Sequence, residues 1–291
     1  VNPIIIQFME NKKFDSRATF RTFQYTLHNF LNIVEGGGGD INRLTEYDIR
    51  YYFQKREDKK IATRQKEYSI ISSFLKYHNW QDRMNGIEYP EEKIVSMERK
   101  SVDSVDIAKI KREIEKMNRK LNGEWKKGGK MRVALIYTLI YTGLRVSELV
   151  NLNKSHIDIR ERTGTIQVSG KGNKARTVPA PKELRRKLTE YMSEREDNHP
   201  AVFISNRGDR ISVRNVQDIL ARLNDRCGFK KGTLHPHVLR HTFLYQTAEH
   251  VPLTTLTQLA GHDDPKTTMI YTTPNLQEVG NRLDNLYEEE D

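Results

Sequence analysis

The stretch HPHVLRHTFLYQT, residues 235–247, sets His235, His237 and His241 around Arg240. A second stretch, LAGHDDPKTTMIYTT at 259–273, adds His262 and, nine residues later, Tyr271. Two chemistries could use such residues. His237 and His241 are four apart and share a helix face, so with His235 or His262 they could hold zinc. The pair lacks the intervening glutamate of a metalloprotease helix, and Arg240 between them would repel a divalent cation. A phosphate fits more of the residues. Arg240 is a permanently charged fork suited to nonbridging phosphate oxygens. Arg145, in YTGLRVSEL, falls where one helix ends and another begins, so its side chain can reach a cleft. Lys171, between Gly170 and Gly172, sits at a hairpin tip as a flexible probe. Tyr271 is the nucleophile candidate beside these groups. A phenolate attacking phosphorus needs cations to hold the pentavalent transition state and an acid for the leaving oxygen, and this set supplies both.

Residues so far apart need a framework to bring them together. In SRATFRTFQYTLHNFLNIV, Phe20, Phe23, Leu27, Phe30, Leu31 and Val34 recur every three or four positions, which predicts a helix. Asp15 or Ser16 can cap its start and GGGG at 36–39 can stop it. Thr45 and Asp48 are spaced as a capping pair for the next helix. ATRQKEYSIISSFLKYHNW follows with Tyr68, Ile71, Leu75 and His78 on one stripe and a solvated stripe of Arg64, Gln65 and Lys76. Periodicity then fades from about Gln81 to Val102. Helices resume at DSVDIAKIKREIEKMNRK and in MRVALIYTLIYTG, where Gly143 is a plausible stop. HIDIR, GTIQVS and ARTVPA read as strands, with GKGNK as a hairpin tip. PKELRRKLTEYMSERE is helical, AVFIS a short strand, and VRNVQDILARLND helical again. Tyr137, Tyr141 and Tyr191 fall in apolar stripes and read as core; His235 and His241 read as packing or bonding locally. The expectation is a helical domain over 1–85, a linker over 86–102, and a second domain over 103–291.

The formal net charge of +10 favours a polyanionic partner. Residues 278–291 oppose that trend, with six acids against Arg282, and read as an interaction tail. Within the tail, Leu276, Val279, Leu283 and Leu286 form one apolar stripe, a short helix over 275–288 that must pack on something. One cysteine, Cys227, excludes a disulfide framework and a cysteine-based zinc site, and reads as a small buried hydrophobe. VNPIIIQF does not read as a secretory signal and the apolar run 133–144 is too short to span a bilayer, so a soluble, cytoplasmic, nucleoid-associated protein is expected.

TGLRVSEL, GKGNKARTVP, HPHVLRHTF and LAGHDDPKTTMIYT resemble, in order, the signature boxes of the tyrosine recombinase (phage integrase) family, and most of all its Xer-like and transposon-borne two-domain members. The boxes span 142–273; the N-terminal helices resemble the family's core-binding domain more weakly. The resemblance implies a mainly α protein with a small antiparallel β-sheet. Its two domains, a helical SAM-like core-binding domain and a catalytic domain, would form a C-shaped clamp on duplex DNA. It implies that Arg145 and Arg240 clamp the scissile phosphate, that His237 bonds it and helps manage the nucleophile's proton, and that His262 is a further phosphate ligand. Lys171 would protonate the leaving 5′-oxygen, Tyr271 would form a 3′-phosphotyrosine, and Glu148 would orient the cations. No cofactor or metal is implied. Implied partners are double-stranded DNA with inverted-repeat sites and other copies of the chain, as a tetramer joined through the C-terminal tail. One departure is Val251-Pro252, where many relatives have a glycine-containing turn. Two other readings are a type IB topoisomerase-like nicking-closing enzyme, against which the acidic tail argues, and a decayed DNA-binding regulator, against which the six catalytic residues argue.

Overall fold

The computed structural model describes residues 2–14, 16–90, 101–120, 123, 126–169, 175–262 and 264–272. The chain divides into two units, Val1–Glu98 and Arg99–Asp291. The expected linker falls mostly on 91–100, outside the described residues; on its near side Ile87 packs on the first unit's core, and on its far side Val102 is buried in the second.

The first unit holds α1 (Pro3–Asn11), α2 (Arg17–Gly36), α3 (Glu46–Gln54) and α4 (Ile61–Tyr77). Ser16 caps α2 by accepting the Thr19 N–H at 3.1 Å, and α2 ends at the first glycine of the run. The Thr45–Asp48 pair forms a reciprocal capping box at α3. Leu27, Phe30, Leu31 and Val34 line the buried face of α2, as the periodicity requires, while Phe20 at the first turns is exposed and packs edge-on against Phe14. Phe8, Phe30, Tyr52 and Phe74 interlock edge-to-face at the centre. Side chains of this size each contribute roughly 1.5–3 kcal/mol over remaining exposed. The stripe on α4 expected to be wholly solvated is mixed: Lys76 is exposed, but Arg64 and Gln65 are half-buried and Gln65 donates to the Pro90 carbonyl at 2.8 Å. The charged residue in this interior is Glu67, gripped by Arg56 through two bonds of 2.5 and 3.1 Å.

The second unit is built around α6 (Gly129–Thr142), buried on nearly every side because it packs on α5 (Ser104–Met117), α8 (Lys182–Met192) and α10 (Pro236–Ala248). Gly143 ends α6 in the left-handed region at φ 58°, where a side chain would also collide with Phe243. A five-residue helix, α7 (Val146–Val150), follows at once. β1 (Ile157–Ile159), β2 (Gly164–Ser169) and β3 (Ala175–Pro179) form an antiparallel sheet in that order, with Val168 opposite Arg176 and Ile166 opposite Val178. The hairpin tip carrying Lys171 lies outside the described residues, as does the tail stripe. α9 (Val213–Arg226) covers α7, and α11 (Leu253–Ala260) lies against β3, α10 and α12 (Lys266–Met269).

AVFIS is not a strand. Only isolated bridges, Asn153 to Ala201 and Ile204 to Arg210, form there, and Val202 instead donates its N–H to the Leu152 carbonyl. Ala201, Val202 and Phe203 are buried as a plug in the core, which satisfies their hydrophobicity without a ladder. Cys227 is buried, and burial pushes its thiol up to about 11. Val251-Pro252 is absorbed without disruption: Pro252 is the N-cap of α11, where no N–H is needed. Among the described residues no helix is long and apolar enough to cross a membrane.

Candidate active site

The site is organised by one turn. α11 ends at Ala260, and Gly261 turns the chain in the left-handed region at φ 61°. The carbonyls at such a helix end point outward with no partner of their own and carry the negative end of the helix dipole. Three of them face arginines. Leu259 O accepts from Arg176 Nε at 3.0 Å, Ala260 O from Arg240 Nη2 at 2.5 Å, and Gly261 O from Arg145 Nη2 at 3.0 Å. A Cβ on Gly261 would fall 2.7 Å from the Arg176 guanidinium, so glycine is required for space as well as for φ. The other helix end in the site makes the same use of its terminus: Gly143 O, closing α6, accepts from Arg240 Nη1 at 2.8 Å.

Glu148 ties two of these arginines together. Its carboxylate accepts two bonds of 2.8 Å from Arg176, one of 2.9 Å from Arg145 Nη1, and the Arg145 backbone N–H at 2.7 Å. Burial alone would push this carboxyl up, but the bonds and charge of Arg176, then of Arg145, hold it below the ordinary range. Three guanidiniums against one carboxylate leave the site positive. Arg240, 5% exposed, is opposed by burial and by Arg145, which pull it down to about 10, still fully charged at neutral pH.

Arg240 Nη2 also approaches His262 Nε2, at 3.1 Å. Arginine can only donate, so Nε2 accepts and Nδ1 carries the proton toward Thr268 Oγ1, 2.9 Å away. Burial, then Arg240 and Arg145, push the imidazole down to about 4, so it is neutral at pH 7. Tyr271 lies past α12, with its ring stacked 6.4 Å from that of His262 and edge-on to Tyr245 at 4.9 Å. Its hydroxyl is 2.6 Å from His241 Nδ1. A cleft of about 730 Å³ opens over Arg145, Glu148, Arg176, Gly261 and His262. Arg240 and Tyr271, the latter 7% exposed, do not line it.

Arg145, Glu148, Arg240, His262 and Tyr271 therefore come together. His237 does not join their bonds: it is exposed on the first turn of α10, 6.5 Å ring to ring from His235, and lines a separate hollow with Val146, Asn224 and Leu234. His235 bonds locally, as the N-cap of α10. The sequence reading passed over Arg176 and gave His241 only local packing or bonding, whereas it meets Tyr271. Arg176 carries a signal, because it shares the inward phase of β3 with buried Val178, where a charge must have a partner. His241 carries none, because its partner arrives thirty residues later.

Comparison with known proteins follows the same lines. Residues 110–278 match the phage integrase family. The tyrosine recombinase XerC of Pseudomonas savastanoi pv. phaseolicola is 36% identical over 159 residues, 53% of this chain and 52% of that protein, so the match spans about half its length. The tyrosine recombinase XerD of Oceanobacillus iheyensis is 30% identical over 275 residues, covering 88% of each chain. Among solved structures, the XerH site-specific recombinase bound to palindromic difH substrate in a post-cleavage complex superposes with a TM-score of 0.78 at 17% identity, over 91% of this chain and 79% of that one.

Proposed function

The chain belongs to the phage integrase family, and from that premise we propose that it is a tyrosine-type site-specific recombinase that cuts and reseals duplex DNA through a 3′-phosphotyrosine and exchanges strands by way of a Holliday junction. The observation that carries this reading is the convergence of Arg145, Arg240 and His262 on the turn 259–262, with the Tyr271 phenol beside them.

Arg145 and Arg240 hold the nonbridging oxygens of the scissile phosphate, and Glu148 with Arg176 fixes the direction of Arg145. His262 joins as a further ligand by giving up its bond with Arg240 and presenting its N–H to the phosphate, and His237 approaches the same phosphate from the first turn of α10. Tyr271 attacks phosphorus. The bond to the 5′-oxygen breaks, and Lys171 gives that oxygen its proton. The tyrosyl ester conserves the energy of the phosphodiester, so a 5′-hydroxyl from a partner strand reseals it and neither nucleotide nor metal is needed. Both units bind DNA carrying inverted repeats. The basic body neutralises its phosphates, so affinity falls steeply with salt. The tail over 275–288 docks on a neighbouring protomer in a tetramer. The relevant compartment is the cytoplasm, at the nucleoid.

The test begins with selection of a binding site from a random duplex library. A nicked suicide version of that site then traps the covalent complex. Wild type accumulates protein–DNA ester and Tyr271→Phe, which lacks one oxygen, binds equally well and accumulates none. Covalent product from Tyr271→Phe removes Tyr271 as the nucleophile.

A further inference from the structure

We propose that His241 is a catalytic residue: its Nδ1 takes the phenol proton of Tyr271 as the phosphodiester is attacked and returns it on resealing. This rests on the recombinase reading above and gives to His241 the proton that the family resemblance has His237 help manage.

Tyr271 packs with Leu244, Leu256 and Ala260, with 7% of the residue exposed, so its phenol has mostly apolar surroundings. Its hydroxyl meets His241 Nδ1 at 2.6 Å, at the short end for a hydroxyl donor. With the phenol donating, the Nδ1 lone pair of His241 faces the nucleophile and its ring proton is on Nε2. The other neighbours are poor acceptors. Arg240 is donor-only and already bonded to Gly143 O, Ala260 O and His262. His262 has its Nε2 lone pair taken by Arg240 and its Nδ1 turned to Thr268. Tyr245 presents a ring edge-on and is itself a phenol. His237 is exposed on another side of α10. Successive residues on a helix diverge by about 100°, and this divides the labour on α10: Arg240 faces the carbonyl floor and His241 faces the phenol.

The step balances. The phenol O–H proton moves to Nδ1 as the O–P bond forms. The P–O5′ bond breaks with its electron pair on the 5′-oxygen, which takes a proton from Lys171. The imidazolium so formed lies near Arg240, and the charge of the bound phosphate offsets that repulsion. On resealing, a 5′-hydroxyl gives its proton back to Lys171 as it attacks phosphorus, the tyrosyl O–P bond breaks, and the Nδ1 proton returns to the departing phenolate.

The test uses the full chain and two reactions. The first is single-turnover cleavage of the nicked site by wild type, His241→Asn and His241→Gln. Asparagine keeps an oxygen or amide near the Nδ1 position and can hold the phenol without accepting its proton. Cleavage is expected to slow about 10²–10⁴-fold, the usual worth of a positioned base, with DNA affinity within about twofold of wild type. The second reaction joins a 5′-hydroxyl strand to a 3′-p-nitrophenyl phosphate strand in a Tyr271→Phe background. Nitrophenolate departs without a proton, so adding His241→Asn is expected to leave joining within about threefold. Unchanged cleavage in both variants overturns the assignment, and faster cleavage reassigns His241 as a restraint on the phenol. Equal loss of cleavage and joining in both variants makes it a structural post and overturns the assignment as well. A wild-type chain that forms no covalent product overturns the recombinase reading itself, an outcome separate from all of these.

Discussion

Each unit buries one glutamate against arginine, and the two pairs are put together differently. In the first unit Glu67 meets Arg56 alone, two bonds for one charge on each side, with side-chain exposures of 6% and 13%. In the second, Glu148 is equally buried but is shared by Arg176 and Arg145, and Arg240 pairs with no carboxylate among the described residues. The first arrangement balances one charge with one, although both residues also line a hollow with Arg21, Lys59 and Lys66. The second is held by backbone carbonyls at two helix ends, carries surplus positive charge, and leaves Arg145 37% exposed toward the cleft. Buried ion pairs do not by themselves mark a site; a surplus of one sign, held rigid by neutral acceptors, does.

The comparison breaks most visibly when the carboxylates are removed. Glu67→Ala and Glu148→Ala each leave a half-buried guanidinium without its carboxylate, and each is expected to lose about 1–3 kcal/mol in its own unit, read by amide hydrogen exchange in α4 or in α6. They part in function: at saturating DNA, Glu148→Ala slows single-turnover cleavage, whereas folded Glu67→Ala cuts at the wild-type rate. Equal slowing by both would erase the distinction between the pairs.

Arginine geometry gives the next effect. Arg240→Ala is expected to reduce cleavage by about 10²–10³-fold, the range for one preorganised charge donor, without a comparable loss in binding. Arg240→Lys does not restore the rate, because one ammonium cannot reach Gly143 O, Ala260 O and His262 together. Arg56→Lys keeps a simple pair with Glu67 and leaves cleavage intact. A full rate from Arg240→Lys means that the charge alone matters and the carbonyl floor does not.

Acid separates the units more gently. His262 is held down to about 4 in the folded chain, against about 6.5 for an ordinary histidine. Below pH 6.5 the unfolded chain takes a proton that the folded site refuses, so stability falls as pH drops from 6.5 toward 4; above 6.5 neither state is protonated and the contribution is constant. His262→Asn is expected to flatten that slope in exchange from α10 and to leave α2 unaffected. An unaltered slope places the acid sensitivity elsewhere.

Much of this was legible in the sequence where the cause is local. Caps at Ser16 and Thr45, the stop at Gly143, the stripe on α2 and the strand alternation depend on residues a turn or a pleat apart. AVFIS was misread because hydrophobicity records burial, and a plug is as buried as a strand. Arg145, Arg240, His262 and Tyr271 were legible through the ordered boxes and the spacing of their residue types. Arg176 was open to the alternation argument. The carbonyl floor was not legible, since every residue has a carbonyl and only the meeting of α11 with β3, α7 and α10 selects those at 259–261.

The smallest effect tests backbone. Gly36→Ala fills open space at the end of α2 and is expected to be neutral or stabilising by up to about 1 kcal/mol. Gly261→Ala puts a side chain at a positive φ against Arg176 and is expected to cost at least about 1 kcal/mol, with a drop in cleavage that a thermal melt alone would not reveal. A neutral Gly261→Ala would show that the turn yields freely.

On the function proposed above, the turn at 259–262 also sets when in its own biosynthesis the chain becomes able to cut DNA. Its carbonyls take arginines 116, 83 and 20 residues upstream. A chain grows from its N-terminus and folds as its segments emerge, so the basic helices and all three arginines are made before their common anchor exists. A nascent or truncated chain without that turn can adhere to DNA by charge but holds no oriented guanidiniums. Under that proposed function, cutting competence waits for a segment made after all three arginines, which keeps a half-made chain from acting as a nickase.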